Sequence, residues 1–380
     1  MHTTTSNTIG MSALSSKMIS FMRFPLALAI VFQHSYYCIS SAQPVEITFS
    51  WQLINLMRGF FSWIINGSTL CAFAVISGYL FFQHWENDNN SKTLQWSWRS
   101  YGKKLYSRIW GLLIPYILWN LLTAWYMHSP ITWHIFYNQN IWGGEQINLF
   151  GQHLFPTIAP IDAPFWFVKD LIYFSIIAPI IYALVRYGKW GSLVFVAIIW
   201  TLHWPAWMPS QTLLPWFVCG AYLSINRMDL AQTARNLWHP LLWIGIAAQI
   251  ATLYLDGWAL QITKPLLLAI QCLFYFWSAS YIAERKIWET PEWLTASSII
   301  LYASHAGLGL LNKSAEWMTL LFPDTVPWYG IILRYFLTPL LCSGVIVLCV
   351  KLIWPSPLVK LLAGKYKPSL LHTHAHSSNH

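Results

Sequence analysis

The chain has 380 residues, of which 56% are hydrophobic and only 9% are charged. Soluble domains average about 25% charged residues, so this composition excludes an ordinary soluble domain and indicates a protein with many membrane spans. The net charge of +9 does not indicate nucleic-acid binding, because the lysines and arginines are spread over many short connections and form no single patch.

Apolar stretches along the sequence predict ten membrane-spanning helices. The sequence therefore predicts an all-α fold, a polytopic transmembrane helical bundle whose surroundings are the lipid bilayer. The predicted spans run roughly over residues 18–39, 60–82, 106–127, 164–185, 190–205, 212–225, 240–256, 265–283, 294–312 and 328–353.

Basic residues predict how these spans are oriented, since short basic loops stay in the cytoplasm. With a cytoplasmic N-terminus, sixteen Lys and Arg fall in cytoplasmic segments, three in external segments and three within spans. We therefore expect both termini to be cytoplasmic, with an N-terminal tail at 1–17, a membrane domain at 18–355 and a His-rich tail at 356–380. The small residues at 40–42 resemble a signal-cleavage site, but cleavage would remove the first span and break this alternation, so we expect none.

Arg23 and His34 lie within the first span, where ionisable side chains are costly to bury and are candidates for function. The eleven steps from Arg23 to His34 correspond to about 1100° of helical rotation, about 20° more than three turns, so both side chains project from one face. They lie about 16 Å apart along the helix axis. The pattern is compatible with a functional path along this face, and equally with an arginine reaching the membrane surface and a packed core histidine.

The longest predicted external connection, about 128–163, carries Trp133, Trp142, Glu145 and Asp162 but no Lys or Arg. Long loops often carry function. An aromatic and acidic loop suits a neutral sugar better than an anion, although a simple cover over the bundle would have the same composition.

Two sets of residues could in principle bind metals. The six cysteines lie singly within predicted spans and show no metal-ligand spacing. His372, His374 and His376 lie in the C-terminal tail, where metal affinity would be incidental. No functional metal site is therefore predicted.

Most other ionisable residues of the predicted spans sort into two groups by depth. The predicted orientation gives an outer group of His34, Asp170, His305 and Arg334. The inner group is cationic and consists of Lys103, Lys104 and Arg108 at the start of span three, near Ser77 and Gly78 at the end of span two. A cationic mouth suits a phosphorylated cytosolic donor, and an imidazole near a carboxylate suits removal of a hydroxyl proton. Paired charges that only lock helices together would give the same distribution.

Five motifs, in chain order, make the sequence similar to a known family. They are Arg23 followed by His34, the segment 73–80 (FAVISGYL), a basic start of span three leading to 112–116 (LLIPY), Phe165-Trp166-Phe167, and Leu301-Tyr302 followed by His305. Over about residues 20–350 the chain resembles the acyltransferase type 3 family of integral membrane acyltransferases. That family often shows two arginines three residues apart at the start of span three, where this chain has Lys104 and Arg108.

The resemblance implies a multi-pass enzyme of the bacterial plasma (inner) membrane. It would move an acyl group, commonly acetyl, from cytosolic acyl-CoA to a hydroxyl of an extracytoplasmic sugar in a polysaccharide or glycolipid. Acyl-CoA would be a co-substrate, and no permanently bound cofactor is expected. The catalytic base would be His34, with Asp170 or His305 orienting its ring. The expected donor-binding residues are Arg23, Lys103, Lys104, Arg108, Ser77 and Gly78, and the expected acceptor-binding residues are Trp166, Tyr302 and Arg334.

A transporter of sugar intermediates or small anions is the alternative, because it too would need intramembrane charges and aromatic surfaces. Use of the donor distinguishes the two classes, since an acyltransferase consumes acyl-CoA and a transporter is indifferent to it. The sequence shows no internal repeat of the kind found in many transporters. It leaves the oligomeric state open, a homo-oligomer included.

Overall fold

The computed structural model describes residues 11–35, 52, 68–85, 93–127, 160–202, 213–251, 257–285, 289–323 and 328–366. These residues form helices and turns and contain no strand, so the predicted all-α fold is confirmed. The helices are α1 (Ala13–Ser35), α2 (Ser68–Phe81), α3 (Trp98–Arg108), α4 (Ile114–Tyr126), α5 (Trp166–Ile176), α6 (Ala178–Gly188), α7 (Gly191–Leu202), α8 (Leu214–Ile225), α9 (Leu230–Ala251), α10 (Gly257–Glu284), α11 (Glu292–Gly307), α12 (Leu310–Leu321), α13 (Trp328–Ile353) and α14 (Pro357–Leu362).

Several of these helices have the length and composition of membrane spans. In the described part of the chain, four single helical segments qualify, and two bent pairs raise the number to six if each pair is one span. The bends measure 67° between α5 and α6 and 71° between α11 and α12. Three shorter apolar helices, α2, α7 and α8, accompany them. The count of ten spans and the cytoplasmic position of the termini stay predictions.

α2 and α8 cross at a backbone separation that only glycine permits. A Cβ atom at Gly78 would lie 2.1 Å from the carbonyl oxygen of Phe217, and one at Gly220 would lie 2.0 Å from the carbonyl oxygen of Val75. Within a bilayer, such small residues let helix backbones approach closely and associate through van der Waals packing. The crossing therefore fixes the last turns of α2 against α8.

The starts of α1 and α9 are joined through the carboxylate of Asp229. Its Oδ1 accepts a hydrogen bond from the backbone N–H of Gln232 (2.9 Å), which caps α9. Its Oδ2 accepts from the N–H of Ser12 (3.2 Å) and from the Ser15 hydroxyl (2.9 Å). The Ser15 oxygen in turn accepts from the N–H of Ala231 (3.0 Å). One carboxylate thus satisfies exposed donors at two helix starts and ties α1 to α9.

A short helix follows α13 and begins with a standard N-terminal signal. The side chain of Ser356 accepts a hydrogen bond from the N–H of Val359 (3.3 Å), and Pro357 occupies the first helical position. Residues 356–366, assigned to the C-terminal tail from the sequence, are therefore structured. The described fold extends past residue 355, to Tyr366.

This C-terminal segment, residues 357–366, packs against the helical bundle. The indole Nε1 of Trp119 donates to the carbonyl of Leu362 (3.1 Å). Gly364 has a φ of +63°, and a Cβ there would lie 2.4 Å from the carbonyl oxygen of Gly111. Glycine is required at this position both by the backbone conformation and by the close approach.

We expect Gly220→Ala to lower the stability of the protein by about 1–3 kcal/mol, because the added methyl group would push α2 and α8 apart. Gly102→Ala is the matched control, since a Cβ at that helical glycine has no atom within 4 Å. It should be neutral or stabilise by about 0.5–1 kcal/mol. Thermal unfolding of the detergent-solubilised variants measures both, and equal stabilities would contradict the proposed importance of the crossing.

Candidate active site

A cavity of about 370 Å³ lies between α1, α2, α3, α4, α5, α11 and the C-terminal segment. Along α3 and α4 its lining runs from Lys104 to Pro115, which corresponds to about 16 Å. Most of the lining is apolar, and the polar groups concentrate toward one end. This size and this distribution of polarity are typical of a small-molecule site.

Four cations and no carboxylate are found among the described residues that line the cavity. The cations are Arg23, Lys104, Arg108 and Lys365. The guanidinium of Arg108 lies within electrostatic range of both Arg23 and Lys104. Like charges at this proximity repel one another, so a bound anion would stabilise the cationic end of the cavity.

The end of α2 orients two of these cations. Lys104 Nζ donates to the carbonyl of Leu80 (3.1 Å), and Arg108 Nη2 donates to the carbonyl of Ser77 (3.0 Å). Carbonyl groups near the C-terminus of a helix carry partial negative charge, which favours a cation there. Lys104 and Arg108 are one helical turn apart, so both project from the same face of α3.

A π-helical turn, Ile109–Leu113, follows Arg108 directly and connects α3 with α4. Single π-helical turns inside a helix occur frequently at functional sites. Gly111 and Leu112 of this turn line the cavity, and Gly111 is the residue that contacts Gly364. The turn therefore forms the part of the wall where the C-terminal segment is seated.

Aromatic rings form the other end of the cavity. The Tyr302 ring lies 5.9 Å from the ring of Phe165 and 6.2 Å from that of Phe167, measured between centroids, and all three residues line the cavity. The Tyr302 hydroxyl donates to the carbonyl of Pro164. This bond fixes the Tyr302 ring in the wall at the aromatic end of the cavity.

Two histidines in contact lie next to Tyr302. The ring of His305 is 6.3 Å from that of Tyr302 and 5.2 Å from that of His34, which it meets edge-on. His305 is fully buried, and its Nδ1 lies 3.0 Å from the carbonyl oxygen of Leu301. Because a carbonyl only accepts, Nδ1 carries the proton and Nε2 offers a lone pair, for which the described residues supply no partner. Neither histidine lines the cavity itself.

A buried carboxylate lies close to this end of the cavity. Asp162 is fully buried, and neither of its carboxylate oxygens has a hydrogen-bond partner among the described residues. The carboxylate packs closely against Gly307. If that glycine carried a Cβ atom, the atom would lie 2.5 Å from Asp162 Oδ1 and 2.7 Å from the Thr123 hydroxyl oxygen. Asp162 lies within electrostatic range of Tyr302. The sequence indicated Asp162 only as one acidic residue of a long connection.

The structure brings together part of the predicted site. Arg23, Lys104, Arg108 and Ser77 line the cavity with Tyr302, and His305 contacts His34. Two predicted donor-binding residues lie elsewhere. Lys103 is exposed on α3, and Gly78 lies in the helix crossing, packed against the backbone of α8. Consecutive helical residues point about 100° apart, which is why Lys104 can line the cavity while Lys103 does not.

Three further residues that the sequence predicted as catalytic or acceptor-binding, Asp170, Trp166 and Arg334, also lie outside the cavity lining. Arg334 Nη1 donates to the Thr319 hydroxyl (3.3 Å), which links α13 to α12. The Asp170 carboxylate lies 3.7 Å from Lys169 Nζ. The ring of Trp166 packs edge-on against that of Phe167, 6.4 Å away. Asp170 is within electrostatic range of Tyr302, and its role in orienting His34 stays a prediction.

Lys365 is a charged residue of the cavity lining that sequence reasoning missed. It was counted only as a basic residue of a cytoplasmic tail. Two local signals precede it, since Ser356-Pro357 is typical of a helix start and Gly364 of a helix end. These signals predict a short ordered helix, but they give no indication of the cavity that it meets.

A family model described as an acyltransferase domain, that of the acyltransferase 3 family, matches residues 18–355 of the chain. No curated protein matches the chain, and no solved structure matches it.

We expect replacement of two carboxylates to change stability in opposite directions. Asp162→Asn should stabilise the protein by about 1–3 kcal/mol, because the buried carboxyl has no hydrogen-bond partner among the described residues, whereas a neutral amide costs less to desolvate. Asp229→Asn should destabilise it by about 1 kcal/mol. Partial burial alone would raise the pKa of Asp229, but its hydrogen bonds from Ser12, Gln232 and Ser15 outweigh this and lower the pKa.

Thermal unfolding in detergent as a function of pH measures both effects. The contribution of the Asp229 carboxylate should be complete at neutral pH and should be lost only as the pH falls below its unfolded-state pKa, through the lower folded-state pKa. A loss of stability in Asp162→Asn equal to that in Asp229→Asn would show that Asp162 has a stabilising partner.

Proposed function

The chain belongs to the acyltransferase type 3 family, and we propose that it moves an acyl group from cytosolic acyl-CoA to a hydroxyl of an extracytoplasmic sugar. Acetyl is the proposed acyl group, and the acceptor is a unit of a polysaccharide or glycolipid. The proposal includes a bacterial plasma membrane location, ten spans and two cytoplasmic termini. The sixteen-to-three distribution of Lys and Arg supports this orientation.

The observation that carries the proposal is the cavity itself. It joins a cationic end to an aromatic end, and the aromatic end adjoins two contacting histidines. Acyl-CoA has the corresponding order of groups, with anionic phosphates, an uncharged pantetheine arm and a thioester at its tip. In the proposed orientation the cationic end opens toward the compartment that holds acyl-CoA.

Arg23, Lys104 and Arg108 are the proposed contacts for the donor phosphates. Charge-assisted hydrogen bonds from Arg and Lys to phosphate are about twice as strong as neutral ones, and Arg can form two in parallel. The pantetheine arm would run along the apolar lining of α2 and α4 toward Tyr302. The repulsion among the three cations would be relieved by the bound phosphates, which favours donor binding.

His34 is the proposed general base. Its imidazole would take the proton from the acceptor hydroxyl while the oxygen attacks the thioester carbonyl carbon. The carbon–sulfur bond then breaks, and the CoA sulfur leaves with the proton that the imidazolium returns. An imidazole suits this role because its ordinary pKa lies near neutral pH. His305, in edge-on contact with His34, would orient the ring.

Membership of an acyltransferase family favours transfer over the alternative of transport. The two activities differ in what happens to the thioester. A transferase releases free CoA thiol in an acceptor-dependent way, whereas a transporter leaves acyl-CoA intact. Thiol release from acetyl-CoA in membranes that contain this chain, with and without a cell-surface glycan fraction, separates the two.

His34→Ala should reduce acyl transfer by about 10²–10⁴-fold, because it removes the proposed general base. Membrane insertion should be unaffected, since an alanine in a span carries no insertion penalty. Acceptor-dependent thiol release and protein abundance in the membrane measure the two. His239→Ala is the control, because His239 is an exposed residue of α9 that does not line the cavity. Full activity of a well-inserted His34→Ala variant would rule out the assignment.

Arg23→Ala should raise the KM for acetyl-CoA by about 10-fold, with little change in kcat, because it removes a charged hydrogen-bond donor from the cationic end. Arg23→Lys should restore only part of the affinity, since an ammonium group cannot make two parallel bonds to a phosphate. Steady-state kinetics in membranes, with Arg99→Ala as a control at an exposed position of α3, measures the change. An unaltered KM would make Arg23 a structural charge.

A further inference from the structure

The cationic end of the cavity is completed from a distant part of the chain. Three of its cations come from α1 and α3, and the fourth, Lys365, comes from the turn that follows α14. Ala363 and Gly364 of the same turn also line the cavity. The C-terminal segment is therefore part of the cavity wall.

Several contacts fix the position of Lys365. Gly364 adopts a φ of +63° and lies against the backbone of Gly111, in the π-helical turn that follows α3. The backbone N–H of Lys365 donates to the carbonyl of Lys360 (2.7 Å), which closes the end of α14. The Tyr366 ring packs 5.5 Å from that of Trp110. The backbone on both sides of Lys365 is thus anchored, and its side chain joins the lining.

We propose that Lys365 binds phosphate in the acyl donor and that it recognises the phosphates next to the pantetheine arm. This inference rests on the proposed function and assigns one part of the donor to one part of the site. In this assignment the arm and the phosphates adjoining it enter the cavity, whose lining along α3 and α4 extends for about 16 Å, and the ribose 3′-phosphate stays outside.

The arrangement of the cations supports this assignment. Lys104 and Arg108 are already engaged with carbonyls of α2 on one side of the cavity. Lys365 comes from the C-terminal segment, whose neighbouring Gly364 lies against Gly111 in the π-helical turn that follows Arg108. Cations from two walls can contact different oxygens of one pyrophosphate, whereas cations from a single face cannot surround it.

The test compares three donors that carry successively fewer phosphate groups: acetyl-CoA, acetyl-3′-dephospho-CoA and acetyl-pantetheine, the last of which also lacks the adenosine. Lys365→Gln should raise the KM for both phosphorylated donors by about 10-fold, as expected for the loss of a charged hydrogen bond. The KM for acetyl-pantetheine and the kcat for all three should not change. Lys365→Arg should retain most of the affinity for the phosphorylated donors.

Two further variants serve as controls. One tests whether the total charge of the C-terminal segment affects donor binding, and the other tests whether the backbone position of Lys365 does. Lys360→Gln removes the same charge from the same segment at a residue outside the cavity lining, where the ammonium lies 5.7 Å from the Trp354 ring, and it should leave every KM unchanged. Gly364→Ala keeps all charges but strains the backbone beside Lys365, so it should reproduce the donor pattern of Lys365→Gln.

Each contrary result overturns a defined part of the inference. Equal KM values for wild type and Lys365→Gln would exclude Lys365 from donor binding. An effect confined to acetyl-CoA would assign Lys365 to the 3′-phosphate, and an effect on all three donors would make its role structural. Absence of turnover of every donor by the wild-type protein would instead contradict the proposed function.

Discussion

The repulsion among cations that share one cavity is the constraint on which the surrounding structure depends. Desolvated like charges persist only where other elements hold them and supply opposing partial charge. Here the last turns of α2 supply it, through the carbonyls of Ser77 and Leu80. α2 is in turn fixed by its crossing with α8 at Gly78 and Gly220. The electrostatics of the cavity therefore depend on a packing contact that lies outside it.

The ring of Tyr302 separates the two chemical halves of the candidate site. The cations and the apolar lining lie on one side of it, and the histidine pair lies on the other. Its hydroxyl is bonded to the carbonyl of Pro164, directly before the aromatic residues of α5. A reaction that uses both halves requires the thioester to pass this ring or the ring to turn. The short 3₁₀ turn Ala163–Phe165 carries the carbonyl group to which Tyr302 is bonded, so this turn constrains any movement of the ring.

The sequence predicted the parts of the site that follow from local periodicity. The rotation between Arg23 and His34, the basic face of α3 and the histidine after Tyr302 are all properties of single helices. The parts it missed depend on contacts between distant segments. No local sequence pattern predicts that Gly364 packs against Gly111, which lies 253 positions earlier in the chain. Likewise, Lys103 and Lys104 are indistinguishable as a basic pair until a neighbouring helix determines which of them is enclosed.

The contribution of the C-terminal segment to the cavity also affects the order in which the protein matures. Arg23 is synthesised early and Lys365 is 342 residues later, so a nascent chain carries three of the four cations through most of its translation. During that time every membrane helix up to α13 can insert while one wall of the cavity is still missing. The cavity is completed only after α13 has been synthesised, because Lys365 follows that helix in the chain. The cationic end of the candidate site therefore gains its fourth charge later than the helices that carry the other three.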